Sequence, residues 1–234
     1  MFNKKLTVAI AGVALLVTGC SNSNSGKDSA KPFSAQTTKS TQAFKQEITG
    51  NSDKGSKVYY QVASNKQKSV TVKNQKYTIK LPIATKNQTV KVSQSKSLKK
   101  PITVNVKKPT VIASGKTFAN NFNASGKVKG KMASQFPKLS QPLSILFSPT
   151  TTYKLLTDGS NIYRMQLSIA DVKSNEVKPN VAALASGLKV KNADLTKLVN
   201  QAKNKPNKKQ TKSLNKLQIT ALVKNKKLTL DIVK

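Results

Sequence analysis

Histidine and tryptophan are absent, and cysteine and arginine occur once each in 234 residues. Without histidine the commonest general base and zinc ligand is missing, and one thiol can form neither an internal disulfide nor a cysteine-rich metal site. Acids are scarce too: Asp28, Glu47, Asp53, Asp158, Asp171, Glu176, Asp194 and Asp231 are all there are. None of them pairs at i, i+3 or i+4 on an expected helix, so spacing supports neither an acid–base pair nor a cation site. Asp171 and Glu176, the nearest two, fall in an expected loop and read as solvated charges. Serine with lysine is the nucleophile–base combination that remains. The pattern S-x-x-K occurs, for example, at Ser97–Lys100 and Ser213–Lys216, but with lysine at about one position in six such matches arise by chance. No catalytic residue, metal ligand or cofactor site is assigned.

Lysine is what the chain has in abundance. Of 42 basic residues, 41 are lysine and one is Arg164, against eight acids, for a net charge of +34. A lysine ammonium lacks the planar fork that reads phosphates and base edges, so diffuse attraction to polyanions is expected rather than specific nucleic-acid recognition. No Phe, Tyr or Trp follows Tyr163, which removes the stacking platforms that single-strand binding uses. Charge is densest in KNKPNKKQTKSLNK, residues 203–216, where Lys203, Lys205, Lys208, Lys209, Lys212 and Lys216 are the candidate polyanion-binding residues. Lys224, Lys226 and Lys227 follow in the expected last hairpin turn, and the two turns are expected to form one basic edge. Plain solvation of a lysine-rich loop is the other reading of the same run.

The single cysteine lies in ALLVTGCSNSNSG, residues 14–26. Lys4 and Lys5 precede an uncharged stretch of 12 residues, Leu6 to Val17, which has the layout of an export signal. A bilayer-crossing helix takes roughly 20 apolar residues, so a permanent span is not expected. Val17-Thr18-Gly19-Cys20 resembles the lipobox of bacterial lipoproteins, over about the first 25 residues. The resemblance implies cleavage between Gly19 and Cys20, a diacylglycerol on the Cys20 thiol, and anchoring at the extracellular face of the cell membrane, in a Gram-positive type of envelope. Acylation would also remove an unpaired thiol from an oxidising compartment. Loss of residues 1–19 takes away Lys4 and Lys5 and lowers the charge from +34 to +32.

Beyond the signal, residues 20–48 are rich in Ser, Thr, Asn, Gln and Lys and read as a lipidated flexible tether, with a span of about 26 to 32 Å for the 28 residues from Ser21 to Ile48. From 49 to 109 the period is two: Val58, Tyr60 and Val62; Val70 and Val72; Tyr77, Ile79 and Leu81; Val90 and Val92; Ile102, Val104 and Val106. These give five half-buried strands and a small antiparallel β-sandwich. In strand pattern it resembles the immunoglobulin-like modules of bacterial surface proteins. Residues 110–234 mix periods. Phe118 and Phe122 at i, i+4 predict a short helix, Thr152–Thr157 and Ile162–Ile169 predict strands, and Leu195, Leu198, Val199 and Ala202 form a helical stripe preceded by Asn192 as N-cap. Two alternating strands follow, carrying Leu217–Val223 and Leu228–Ile232. The fold class expected is mainly β with α+β: a small sandwich, then a domain with helices packed on an antiparallel sheet.

The functional expectation is a lipid-anchored surface lipoprotein acting as a binding module, with teichoic polymers or anionic lipid head groups as partners by charge and address. Two alternatives stay open: an exclusion or immunity lipoprotein acting against phage or bacteriocin, and a wall-modifying enzyme without a recognisable catalytic motif.

Overall fold

A computed structural model describes residues 31–38, 44–139 and 141–234. The signal segment and Cys20 lie outside the described residues, which form one unit from Lys31 to Lys234.

Seven short strands form, β3 to β7 on alternation of apolar and polar residues: β1 (Gln36–Thr38), β2 (Lys45–Asn51), β3 (Lys57–Val62), β4 (Lys68–Thr71), β5 (Lys76–Pro82), β6 (Gln88–Ser93) and β7 (Ile102–Val106). They make two antiparallel sheets, ordered β1-β2-β5 and β4-β3-β6-β7. Ile48, Ile79 and Leu81 from the first sheet pack with Val58, Val90, Val92 and Val106 from the second. Each such side chain taken fully from water contributes about 1.5–3 kcal/mol. Every apolar position expected on the strand faces is at least partly buried in this core. The chain crosses from β4 in one sheet to β5 in the other through a tight turn at Asn74-Gln75, between the bridged Lys73 and Lys76, where both turn residues have positive φ (50° and 58°).

The tether expected through residue 48 is corrected here. Residues 36–38 and 45–51 are strands, with Glu47 paired to Lys80 and Ile48 paired to Ile79. Polar composition concealed them, since β1 is a three-residue edge strand whose side chains stay largely exposed. Apolar anchors hold it in place. Phe33 stacks on Tyr77 at 6.2 Å, and the Tyr77 hydroxyl donates to the Ser34 carbonyl at 2.6 Å. Gly50 admits that carbonyl, because a Cβ there would stand 1.8 Å from it.

The second half builds one seven-stranded antiparallel sheet. Its elements are β8 (Ala113–Ser114), α1 (Gly115–Ala124), β9 (Leu143–Leu146), β10 (Thr151–Thr157), β11 (Asn161–Ile169), α2 (Val177–Leu188), α3 (Asn192–Asn204), β12 (Gln210–Leu214), β13 (Leu217–Lys224) and β14 (Lys227–Val233). The order is β12-β13-β14-β11-β10-β9, with β8 beside β11. The helices lie on one face, where Phe118 and Phe122 of α1, Leu184 of α2 and Leu195, Leu198 and Val199 of α3 share a core with Met165, Leu167, Ile219, Leu230 and Ile232. Asn192 is the first helical residue of α3 rather than its cap; Lys191 takes the cap position, and no side chain bonds there.

Simple alternation along Ile162–Ile169 would put Tyr163 in this core with Met165, Leu167 and Ile169, but it lies outside it. Leu156 pairs with Arg164 while Thr157 pairs with Ile162, so Tyr163 is the extra residue of a β-bulge. The bulge hands the core position to Ile162 and puts Tyr163 into a separate cluster with Leu156, Val111, Phe44 and Ile83. That cluster joins the sandwich to the large sheet. Lysines flank it, with Lys108 Nζ 5.8 Å from the Tyr163 ring and Lys154 Nζ 5.1 Å from the Phe44 ring. Among the described residues no strand pairing crosses between the two parts.

Candidate functional site

The six lysines of 203–216 do not act as one loop. Lys203 is in the last turn of α3 and Lys205 is its C-cap, while Lys208 and Lys209 occupy the turn into β12. Lys212 is inside β12, opposite Ile219, and its ammonium donates to Asp194 Oδ1 of α3 at 2.6 Å. The run contains no acid of its own, and its partner comes from the helix it packs on. The charged hydrogen bond from Lys212 holds the Asp194 carboxyl below its ordinary range. Lys216 sits in the β12–β13 turn, about 16 Å of strand away from the Lys208–Lys209 turn at about 3.3 Å per residue. Lys212 and Lys216 therefore leave the expected edge.

Two other groups of lysines do come together. The backbone N–H of Asn207 donates to the Val223 carbonyl at 2.7 Å, which sets the turn of residues 205–209 against the turn that carries Lys224, Lys226 and Lys227. Lys205, Lys208, Lys224, Lys226 and Lys227 are exposed there. Lys209 reaches the field of Asp231 on β14, two strands over in the sheet. Asp171 is the acid of the adjoining segment, which is tied on by the Val172 N–H to Lys226 carbonyl bond of 2.7 Å.

On the sheet face away from the helices lies a second charged group. Burial pushes the Asp231 carboxyl up, opposed by the 2.8 Å hydrogen bond from Gln166 Nε2. Burial likewise lowers the Arg164 guanidinium, whose Nε is buried without a hydrogen bond among the described residues. Near the bulge, Tyr163 donates to Asp158 Oδ2 at 2.6 Å, and this bond pushes the phenol up to about 12. Burial works to raise Asp158, but the hydrogen bonds from Tyr163, Asn161 and Ser160 outweigh it and hold the carboxyl at about 2.

No protein-family model, no curated protein and no solved structure matches the chain.

A cavity of about 480 Å³ opens between the loop after α1 and the start of α2. Lys127, Lys129 and Gly130 form one wall, Glu176, Pro179 and Asn180 the other, and Phe147 lines it. Glu176 Oε2 accepts from Ser148 Oγ at 2.9 Å and from Thr150 Oγ1 and Thr151 Oγ1 at 2.5 Å each. These hydroxyls keep its carboxyl below the usual range, with Thr150 the largest influence. Asn180, nearly buried, accepts from the Tyr153 hydroxyl at 3.0 Å and donates to the Glu176 carbonyl at 2.9 Å. Below, Phe122, Phe147 and Tyr153 meet edge to face with centroids 5.0–5.5 Å apart. Sequence reasoning missed this cavity: Glu176 was read as a solvated charge, and its hydroxyl partners come from a turn 25–28 residues earlier. The SPTT cluster at 148–151 was the available signal.

The chance matches stay apart. Ser97 shares a 2.8 Å hydrogen bond with Ser95 in the exposed turn after β6, and Ser213 is exposed on β12. Among the described residues no three metal-ligating side chains gather. No helix among them is long and apolar enough to cross a membrane.

Proposed function

We propose that this chain is a lipid-anchored binding protein of the outer face of a bacterial membrane, acylated at Cys20, that meets anionic envelope polymers through the basic end of its large sheet. The address rests on the lipobox-like Val17-Thr18-Gly19-Cys20. The strand order β1-β2-β5 over β4-β3-β6-β7 supports an immunoglobulin-like reading of the first part. It differs from the constant-domain arrangement in that the fourth strand pairs with the third rather than the fifth. The carrying observation for the partner is the Asn207–Val223 hydrogen bond, which turns two lysine groups distant in sequence into one exposed cluster. Such a cluster attracts phosphate-rich polymers or anionic head groups by charge alone, at about 1 kcal/mol per lysine near an anionic surface.

Replacing Lys205, Lys208, Lys224 and Lys227 by Gln tests this against a control of equal charge, with Lys57, Lys68, Lys76 and Lys91 of the sandwich replaced instead. Binding to vesicles with a large phosphatidylglycerol fraction and to purified teichoic acid is followed by co-sedimentation. The first variant is expected to lose roughly tenfold or more at low salt, the control much less, and both to lose binding as salt shortens screening to about 8 Å. Equal losses in the two variants would reduce the cluster to one part of a uniformly basic surface.

A further inference from the structure

We infer that the cavity between the 127–130 loop and α2 binds a small zwitterion, a free amino acid or short peptide, with its ammonium on Glu176 and its carboxylate between Lys127 and Lys129. The inference does not depend on the basic end, whose lysines are elsewhere in the fold.

Three observations carry it. The first is that the walls are built. Asn123 clamps the loop with two hydrogen bonds to Met132, Nδ2 to the carbonyl at 2.9 Å and the N–H to Oδ1 at 2.8 Å, and Met132 is buried. Gly130 lies flat on the Phe147 ring, where a Cβ would stand 2.8 Å from Cδ1. On the far wall Asn180 is locked between Tyr153 and the Glu176 carbonyl. A site held this way does not have to be ordered by its ligand.

The second is the division of charge. Both signs line one cavity, in a chain where acids are outnumbered about five to one. Glu176 Oε2 is saturated by three hydroxyl donors, while Oε1 accepts no hydrogen bond among the described residues. A carboxylate fixed through one oxygen and open at the other suits a donor cation, and the ammonium groups opposite suit an anion. The third is size and lining. The volume falls in the range of roughly 300–1,000 Å³ typical of small-molecule sites, and Phe147 and Pro179 give the body of the ligand apolar contact. A neutral apolar ligand would leave both signs of charge without a ligand partner, and a simple anion would leave Glu176 without one.

The test uses the purified full-length chain and alanyl-phenylalanine with both termini free, its N-acetyl form and its C-terminal amide. Binding is read by calorimetry and by amide shifts of Gly130, Phe147, Asn175 and Asn180. The free dipeptide is expected to bind and to move those four amides, and each blocked form to bind about tenfold more weakly. Glu176→Gln should weaken the free dipeptide about tenfold and leave the N-acetyl form unchanged, while Lys127→Gln with Lys129→Gln should do the same with respect to the amide. This selectivity separates recognition from a structural role of Glu176, which would weaken every form alike, and that result would overturn the proposal. So would equal binding of the three dipeptides, or no movement of the four amides at millimolar ligand.

Discussion

Gly187 of α2 faces Phe118 of α1, and a methyl group on it would stand 2.5 Å from Cε2 and 2.8 Å from Cδ2 of the ring. Two effects of Gly187→Ala oppose each other. Gly187 lies in the last turn of α2, where alanine is favoured over glycine by up to about 1 kcal/mol. Against this, the contact must open by roughly 1 Å to reach ordinary carbon–carbon separation. Phe118 is fully buried and packed on Phe122 at 5.7 Å, so the ring has nowhere to turn. Overpacking in a closed core costs about 1–3 kcal/mol, and the net expectation is a loss of up to about 2 kcal/mol. Urea unfolding should show a lower midpoint with an unchanged slope. Phe118→Leu removes the ring, and in that background Gly187→Ala should become neutral or stabilising by up to about 1 kcal/mol. The two substitutions would then couple by at least about 1 kcal/mol. Gly187→Ala at the same cost in both backgrounds would refute the claim that helix spacing here is set by the missing Cβ.

Further outcomes follow from the same geometry. Gly50→Ala should expel the Ser34 carbonyl, detach residues 31–38 from β2 and expose them to limited proteolysis while the large sheet stays protected. Tyr163, raised to about 12, contributes stability that is complete below pH 10 and is lost as pH rises toward 12; Asp158→Asn should bring the ultraviolet titration of the phenol back toward 10. Cys20→Ala should abolish the covalent lipid, and a free thiol at Cys20 in membrane-bound wild type, seen by mass spectrometry, would remove the basis for the proposed address.

Period two and period 3.6 made most of the fold legible in advance, because one buried face is enough to specify a strand or a helix. Leu195, Leu198, Val199 and Ala202 are all buried, as are Tyr77, Ile79 and Leu81 of β5, Leu217, Ile219, Ala221 and Val223 of β13, and Leu228, Leu230 and Ile232 of β14. Three things were hidden for identifiable reasons. β1 and β12 are edge strands with polar sequences, held by neighbours rather than by their own pattern. The bulge at Tyr163 shifts a face by one residue, which alternation alone does not register. The Glu176 cavity joins a loop, a turn and a helix start far apart in the chain, and its polar residues look like any solvated loop until they are brought together.

Strand β14 follows every one of its sheet neighbours in the sequence, yet it lies between β13 and β11 in the interior of the sheet. On one side it closes a tight hairpin through Asn225 and Lys226, both at positive φ, a local step of the microsecond kind. On the other it pairs with residues as many as 67 positions earlier, from Met165 to Ile232, and this carries the loop-closure entropy of a distant contact. The large sheet is thus two ribbons until β14 meets β11: β9-β10-β11 on one side, the β12–β14 meander on the other. Their docking makes the distant contacts, and contact order marks it as the expected slow step in folding this part of the chain.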